Sequence, residues 1–205
     1  MDYIKQRLIE KGRPKAAILK DLEKRYGHVV LQDITVDQVL GGMKGINGLL
    51  TETSNLDPEE GIRFRGYSIP ELRDKLPKAH PGGEPLPEGL FYLMLIGELP
   101  TEEDVKFISQ EWSKRAAAIP QHVYKVIDAV PKDAHPMIQF NLAILAMSTQ
   151  SHFRRSYLDG LDKKDFWDPM YEGVMDLISR LPLIAAYIYR RVFHDDKHIP
   201  MDPSL

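Results

Sequence analysis

Apolar residues recur at helical spacing along most of this chain, and strict alternation is confined to one short patch. Residues 2–10 and 14–26 read as two short helices divided at Gly12-Arg13-Pro14 and closed by Gly27. Val29-Val30-Leu31 and Ile34-Thr35-Val36 are β-branched and apolar, which predicts brief strands around Gln32-Asp33. A Gly41-Gly42 turn follows, and Asp57-Pro58-Glu59-Glu60-Gly61 makes a second turn into the alternating strand 62–65. Ser68 caps a helix that Pro70 enters at its first turn, where a missing N–H costs nothing. Residues 78–86, with Pro81-Gly82-Gly83, form a loop before a helix over about 87–97. Thr101 caps the next helix, with Glu102, Glu103 and Asp104 at its positive end and Val105, Ile108 and Trp112 on one face. That helix runs to about Ala118, and another spans about 120–130 between two prolines.

Two late segments depart from ordinary amphipathicity. His135-Pro136 opens a helix through Met147 that is apolar almost all round, and such a helix must be covered on every side. Asp168-Pro169 opens a longer one, with Met170, Val174, Leu177, Leu181, Ala185, Ile188 and Val192 on one stripe and an expected kink at Pro182. Together these helices exceed what the rest of the chain covers. They predict a buried interface, with another copy or with further sequence, over residues 136–150 and 168–194. The fold class is all-α and multi-helical, with a small β element near residues 29–65.

Bulk properties narrow the function without naming it. At 205 residues the chain is long enough to bury a real core, roughly 70% of its unfolded surface. A net charge of −3 lacks the clustered basic surplus of a nucleic-acid footprint. With no cysteine, disulfides, thiolate metal sites and cysteine nucleophiles are excluded. The apolar run from Leu181 to Tyr189 is about half the roughly 20 residues a membrane span needs. Residues 1–8 hold an early acidic residue and no serine-rich basic stretch, so a cytoplasmic location is the simplest expectation. The alternative is the mitochondrial matrix, had a transit peptide been removed.

Candidate chemistry is sparse. Gly41-Gly42-Met43-Lys44-Gly45-Ile46-Asn47-Gly48 matches neither phosphate-loop pattern, and taken by itself it is a turn whose glycines adopt positive φ. His194 and His198 stand four apart around Asp195-Asp196-Lys197, in a polar stretch past the helix end; no metal site is assigned to them. His135 is a helix-entry residue rather than a base. Arg63 and Arg65 alternate with Ile62 and Phe64 on one strand face, where Asp57, Glu59 or Glu60 would pair with them. No serine lies in a GxSxG elbow.

Residues 37–72, DQVLGGMKGINGLLTETSNLDPEEGIRFRGYSIPEL, closely resemble the amino-terminal part of citrate synthase, in the branch that includes the mitochondrial enzymes. The likeness continues through residues 85–91, 111–116, His135-Pro136-Met137 and 176–182, and so covers nearly the whole chain. It implies the first part of a large helical domain, and an acyltransferase reaction in which acetyl-CoA condenses with oxaloacetate to citrate and coenzyme A. In that family a carboxylate takes a proton from the acetyl methyl while one histidine stabilises the enolate and a second activates the oxaloacetate carbonyl. The family's histidine-rich active-site segments have no counterpart here, so no catalytic residue is assigned and the chain alone is expected to be inactive. For binding, the resemblance implies Lys44 and Lys163 as contacts to the phosphates of coenzyme A, a substrate rather than a resident cofactor. Both stand where the family commonly has arginine, so the charge is kept and the bidentate fork is lost. Lys164 is a substitute for its neighbour, and a solvated lysine is the plain alternative for all three. The resemblance also implies a homodimer through the two apolar helices. A non-catalytic dimerisation module and a 2-methylcitrate-forming relative are the other readings.

Overall fold

The structure, a computed structural model, describes residues 2–117 and 119–200. Contacts divide the chain into two units, Met1–Val105 and Lys106–Leu205. As the sequence pattern predicts, the architecture is helical with one small antiparallel sheet.

In the first unit, α1 (Tyr3–Tyr26) is a single helix rather than two. Asp2 caps it, its carboxylate accepting from the Ile4 N–H at 2.7 Å, and Lys24 and Arg25 sit in the last turn where the dipole favours them. Pro14 lies inside: its fixed φ suits a helix, and one lost backbone bond does not end a helix capped at both ends. The expected strands over 29–36 do not form. Their apolar side chains are exposed, and among the described residues no strand pairs with them, so no ladder bonds or buried face hold the segment as a strand. Instead Thr35 and Gln38 make a reciprocal capping box that starts the short α2 (Val36–Leu40), a T-x-x-Q signal legible in the sequence but outweighed by β-branched residues.

The sheet lies further on: β1 (Ser54–Asp57), β2 (Gly61–Phe64) and β3 (Tyr67–Ser68), in that spatial order and antiparallel throughout. The Asp57 carboxylate closes the β1–β2 turn by accepting from the Glu59 and Glu60 N–H groups at 2.8 and 2.9 Å. A capping box between Ser68 and Glu71 starts α3 (Ile69–Lys75), as Ser68 predicts. Leu72 and Leu76 pack with Leu93 of α4 (Pro87–Ile96) and with Phe64, Tyr67, Leu90 and Leu99. Gly97 ends α4 at φ 92°, a left-handed cap that glycine adopts without a Cβ penalty.

Arg63 and Arg65 part company. Arg63 pairs with Glu60, one of the carboxylates expected for it. Arg65 leaves the strand at φ 50° and donates from Nε and Nη2 to the Met94 carbonyl at 3.2 and 2.7 Å. Its Nη1 reaches Glu52, 3.4 Å away, so this side chain ties the sheet to the end of α4.

Five carboxylates of this unit share one electrostatic trend. Lys15 holds Glu52 below the usual range, the N–H groups of Glu60 and Glu59 hold Asp57 there, and Arg63 does so for Glu60. The Ser68 N–H lowers Glu71, and Lys11 lowers Glu98. A depressed carboxylate contributes stability above its unfolded pKa and loses it as pH falls through the folded value. Hydrogen exchange of the β1–β2 amides should therefore be flat from pH 7 to 5 after correction for intrinsic rate, and quicken below about pH 4. Constant protection down to pH 3 would contradict this.

The second unit begins within α5 (Glu102–Ala116), capped by Thr101, whose hydroxyl accepts from the Asp104 N–H. It continues through α6 (Gln121–Asp128), α7 (Pro136–Met147), α8 (His152–Leu158) and α9 (Trp167–Phe193), with 3-10 turns at Ser148–Gln150 and Lys163–Asp165. His135 caps α7, its Nδ1 accepting from the Met137 N–H at 3.2 Å, which agrees with a helix-entry role. The core joins Val123, Ile127, Ala143, Met147, Ile184 and Ile188. α9 runs on through Pro182. Its buried positions are Pro169, Tyr171, Met175, Ser179, Ile184, Ile188 and Arg191. Of the stripe expected from the sequence, Ile188 is buried in the core and Leu177, Leu181 and Val192 pack against it half-buried, whereas Met170, Val174 and Ala185 are exposed. α8 escapes sequence reading because it is short and mixed in character, though Ser151, accepting from the Arg154 N–H, is an ordinary cap signal.

Candidate functional site

Lys44 stands at the second position of a tight turn, Met43 to Ile46, closed by the Ile46 N–H donating to the Met43 carbonyl at 3.3 Å. Gly45 occupies the third position with φ 77°, as a type II turn requires, and Gly42 and Met43 also have positive φ. These angles explain the glycines without any ligand, in line with the plain turn reading. Lys44 is exposed, and among the described residues no carboxylate pairs with its ammonium. The turn is held on one side by the Met43 N–H donating to the Gln38 carbonyl at 2.7 Å.

Lys163 lies in the other unit, where it opens the 3-10 turn Lys163–Asp165. Asp162 caps that turn by accepting from the Lys164 N–H at 3.2 Å, and the Lys164 ammonium stands 3.3 Å from the same carboxylate. Lys163 is exposed and has no carboxylate partner among the described residues. Of the two neighbours, Lys163 has the free ammonium, so Lys164 is the weaker candidate for an incoming anion.

A further concentration of charge, in the second unit, is structural. The Arg115 guanidinium meets Glu172 at 2.7 Å and Asp176 at 2.8 Å; Asp176 also meets Arg180 at 3.1 Å and the His152 imidazole at 3.4 Å. Burial works against the charge on Arg115, yet Glu172 and Asp176 outweigh it and raise its pKa. Beside this cluster a groove of about 340 Å³ runs among α7, α8 and α9, with Ile144, Met147, Phe153, Met170, Val174 and Leu177 in its wall. Its charged members Asp176 and Arg180 are spent on each other, which leaves an apolar wall suited to packing rather than to polar chemistry.

The two histidines near the end do not converge. His194 caps α9, whereas His198 stacks flat on Tyr187, with ring centroids 4.1 Å apart. Among the described residues no cluster of three or more histidines and carboxylates is arranged to hold a metal. Nor is any described helix long and apolar enough to cross a membrane.

Comparison with known proteins gives these features a context. The family model described as citrate synthase, C-terminal domain, matches residues 42–205, four-fifths of the chain. This chain belongs to the citrate synthase family. It is similar to the mitochondrial citrate synthase of Daucus carota, 54% identical over 187 residues, and to citrate synthase 4 of Arabidopsis thaliana, 52% identical over 187 residues. The mitochondrial citrate synthase of Xiphias gladius is 52% identical over 181 residues. The first of these matches covers 91% of this chain but 39% of the carrot protein, so the chain spans about two-fifths of the length of the curated relatives it matches.

Solved structures agree on the fold. The citrate synthase of Pyrobaculum aerophilum aligns over 80% of this chain and 39% of its own, with TM-score 0.65 and 22% identity. That of the archaeon Thermoplasma acidophilum, a ternary complex with carboxymethyl coenzyme A and oxaloacetate, aligns over 79% and 37% with TM-score 0.57 and 20% identity. The resemblance read from residues 37–72 is thereby established as family membership. The cytoplasmic expectation finds no support, since the relatives are mitochondrial by name.

Proposed function

We propose that this chain supplies the amino-terminal part of the large helical domain of a dimeric enzyme that condenses acetyl-CoA with oxaloacetate, giving citrate and coenzyme A. The observation that carries the proposal is the 54% identity to a citrate synthase sustained over 91% of the chain. The relatives' names favour citrate over 2-methylcitrate formation, and the mitochondrial matrix over the cytoplasm.

Within that enzyme Lys44 and Lys163 bind the phosphates of coenzyme A. Both are exposed lysines whose ammonium groups no described carboxylate neutralises, so each is available to an anion. An ammonium attracts phosphate as a point charge, without the paired bonds of a guanidinium, and its contribution falls with added salt. The contacts lie away from the bond being made, so they act on binding more than on the chemical step.

In a full-length enzyme carrying this sequence, Lys44→Ala and Lys163→Ala should each raise the KM for acetyl-CoA on the order of tenfold. The KM for oxaloacetate and kcat should stay within about twofold. A rise in the oxaloacetate KM instead, or no change, would overturn the assignment. The 205-residue chain assayed alone should form no citrate, because it spans 39% of the length over which its relative is built. Measurable citrate would overturn that part.

The two helices expected at the subunit contact keep apolar side chains facing outwards. Met137 and Ile138 are each 53% exposed, Leu145 65%, Met170 53% and Val174 40%. These faces are the proposed dimer surface.

A further inference from the structure

A point charge attracts a phosphate in proportion to how closely and how constantly it is held near it. The turn that carries Lys44 lies among exposed residues, so packing does not hold it still. What holds it is hydrogen bonding. The Gln38 carbonyl secures the Met43 N–H on the near side, and on the far side one side chain does the work of a strand. The Gln32 amide nitrogen donates to the Gly45 carbonyl at 3.2 Å, and its oxygen accepts from the Asn47 N–H, also at 3.2 Å. The two contacts span 13 and 15 residues and imitate the paired exchange of an antiparallel ladder. Gln32 is half-buried although Val30, Leu31, Asp33 and Ile34 around it are exposed, which fits a side chain turned inward on the turn.

We propose that Gln32 is a positioning residue for acyl-CoA binding: its side-chain amide fixes the Gly45–Ile46 and Ile46–Asn47 peptides that follow Lys44 and so holds the Lys44 ammonium where a phosphate of the substrate docks. The proposal rests on the reading of Lys44 as a phosphate contact. Without the clamp the turn samples other arrangements, and the apparent affinity falls by the fraction of time the competent one is populated. Gln32→Leu removes both bonds. Gln32→Glu keeps the acceptor for Asn47 and sets a carboxylate oxygen against the Gly45 carbonyl, so it restores half of the clamp at most.

The test compares Gln32→Leu, Gln32→Glu, Lys44→Ala and the Gln32→Leu/Lys44→Ala double variant in the full-length enzyme, with amide exchange at Asn47 as a readout independent of activity. Gln32→Leu should raise the KM for acetyl-CoA on the order of fivefold, leave kcat and the oxaloacetate KM within about twofold, and speed exchange at Asn47 but not in β1–β2. Gln32→Glu should fall between Gln32→Leu and the parent. In the Lys44→Ala background Gln32→Leu should add nothing further, because it acts through that lysine. An unchanged acetyl-CoA KM in Gln32→Leu, beside a raised one in Lys44→Ala, would overturn the role of Gln32 and leave the phosphate reading standing. Full additivity of the two would also overturn it. A Lys44→Ala enzyme that binds acetyl-CoA normally would overturn the reading on which the proposal rests.

Discussion

Gln139→Leu should destabilise the carboxy-terminal unit by about 3 kcal/mol, a large share of the stability of a domain this size. Gln139 is fully buried on α7, where its amide nitrogen donates to the Ala134 carbonyl at 2.9 Å and its oxygen accepts from Arg191 Nη1 at 2.8 Å. Arg191 is itself only 4% exposed, and its Nη2 donates to the Val130 carbonyl at 2.5 Å and the Asp128 carbonyl at 3.3 Å. Removing Gln139 strands one N–H of a buried cation and takes the donor from the carbonyl of the half-buried Ala134, and the stranded N–H is not replaced by water in a packed interior. The urea midpoint of the chain, followed by near-ultraviolet circular dichroism, reads the effect. Gln139→Leu/Arg191→Met should recover part of the loss, since exchanging both partners for apolar groups removes the stranded cation. A single variant as stable as the parent would show that the buried pair has no such role.

The sequence disclosed much of this fold where local signals and periodicity agreed. Ser68 and Thr101 cap as read, and His135-Pro136 opens α7. Reading failed where a tertiary partner decided. Val29–Val36 has strand-like composition but no neighbouring strand, and a single glutamine side chain takes the place of the partner. Pro14 reads locally as a helix end but interrupts α1 by only one bond. On α9 the apolar stripe meets the core at Leu177, Leu181, Ile188 and Val192, but the burial of Arg191 escapes the pattern because its partners are the Asp128 carbonyl at the end of α6 and Gln139 on α7. Lys44 and Lys163 owed their selection to family likeness, since an exposed lysine on a turn carries no periodic signal. The role of Gln32 was hidden altogether, because a bond across 13 residues has no local signature.

A second consequence concerns the face of α9 left outside. Met170 and Val174 stand on the groove among α7, α8 and α9 and remain substantially exposed. An apolar wall of this kind, beside the exposed Met137, Ile138 and Leu145, is what a subunit contact requires. Val174→Asp should leave the fold intact, because the side chain reaches water in the single chain. It should nevertheless weaken association by about 3 kcal/mol, or on the order of a hundredfold in Kd, because an aspartate at the centre of an apolar contact must be stripped of water.

Sedimentation velocity of the 205-residue chain over a hundredfold range of concentration, alongside Val174→Asp, puts the proposed contact to its most direct trial. The expected result is a dimer that dissociates on dilution, with the variant monomeric throughout. A folded monomer at every concentration, indistinguishable from Val174→Asp, would contradict the claim that these helices are built to meet a second copy.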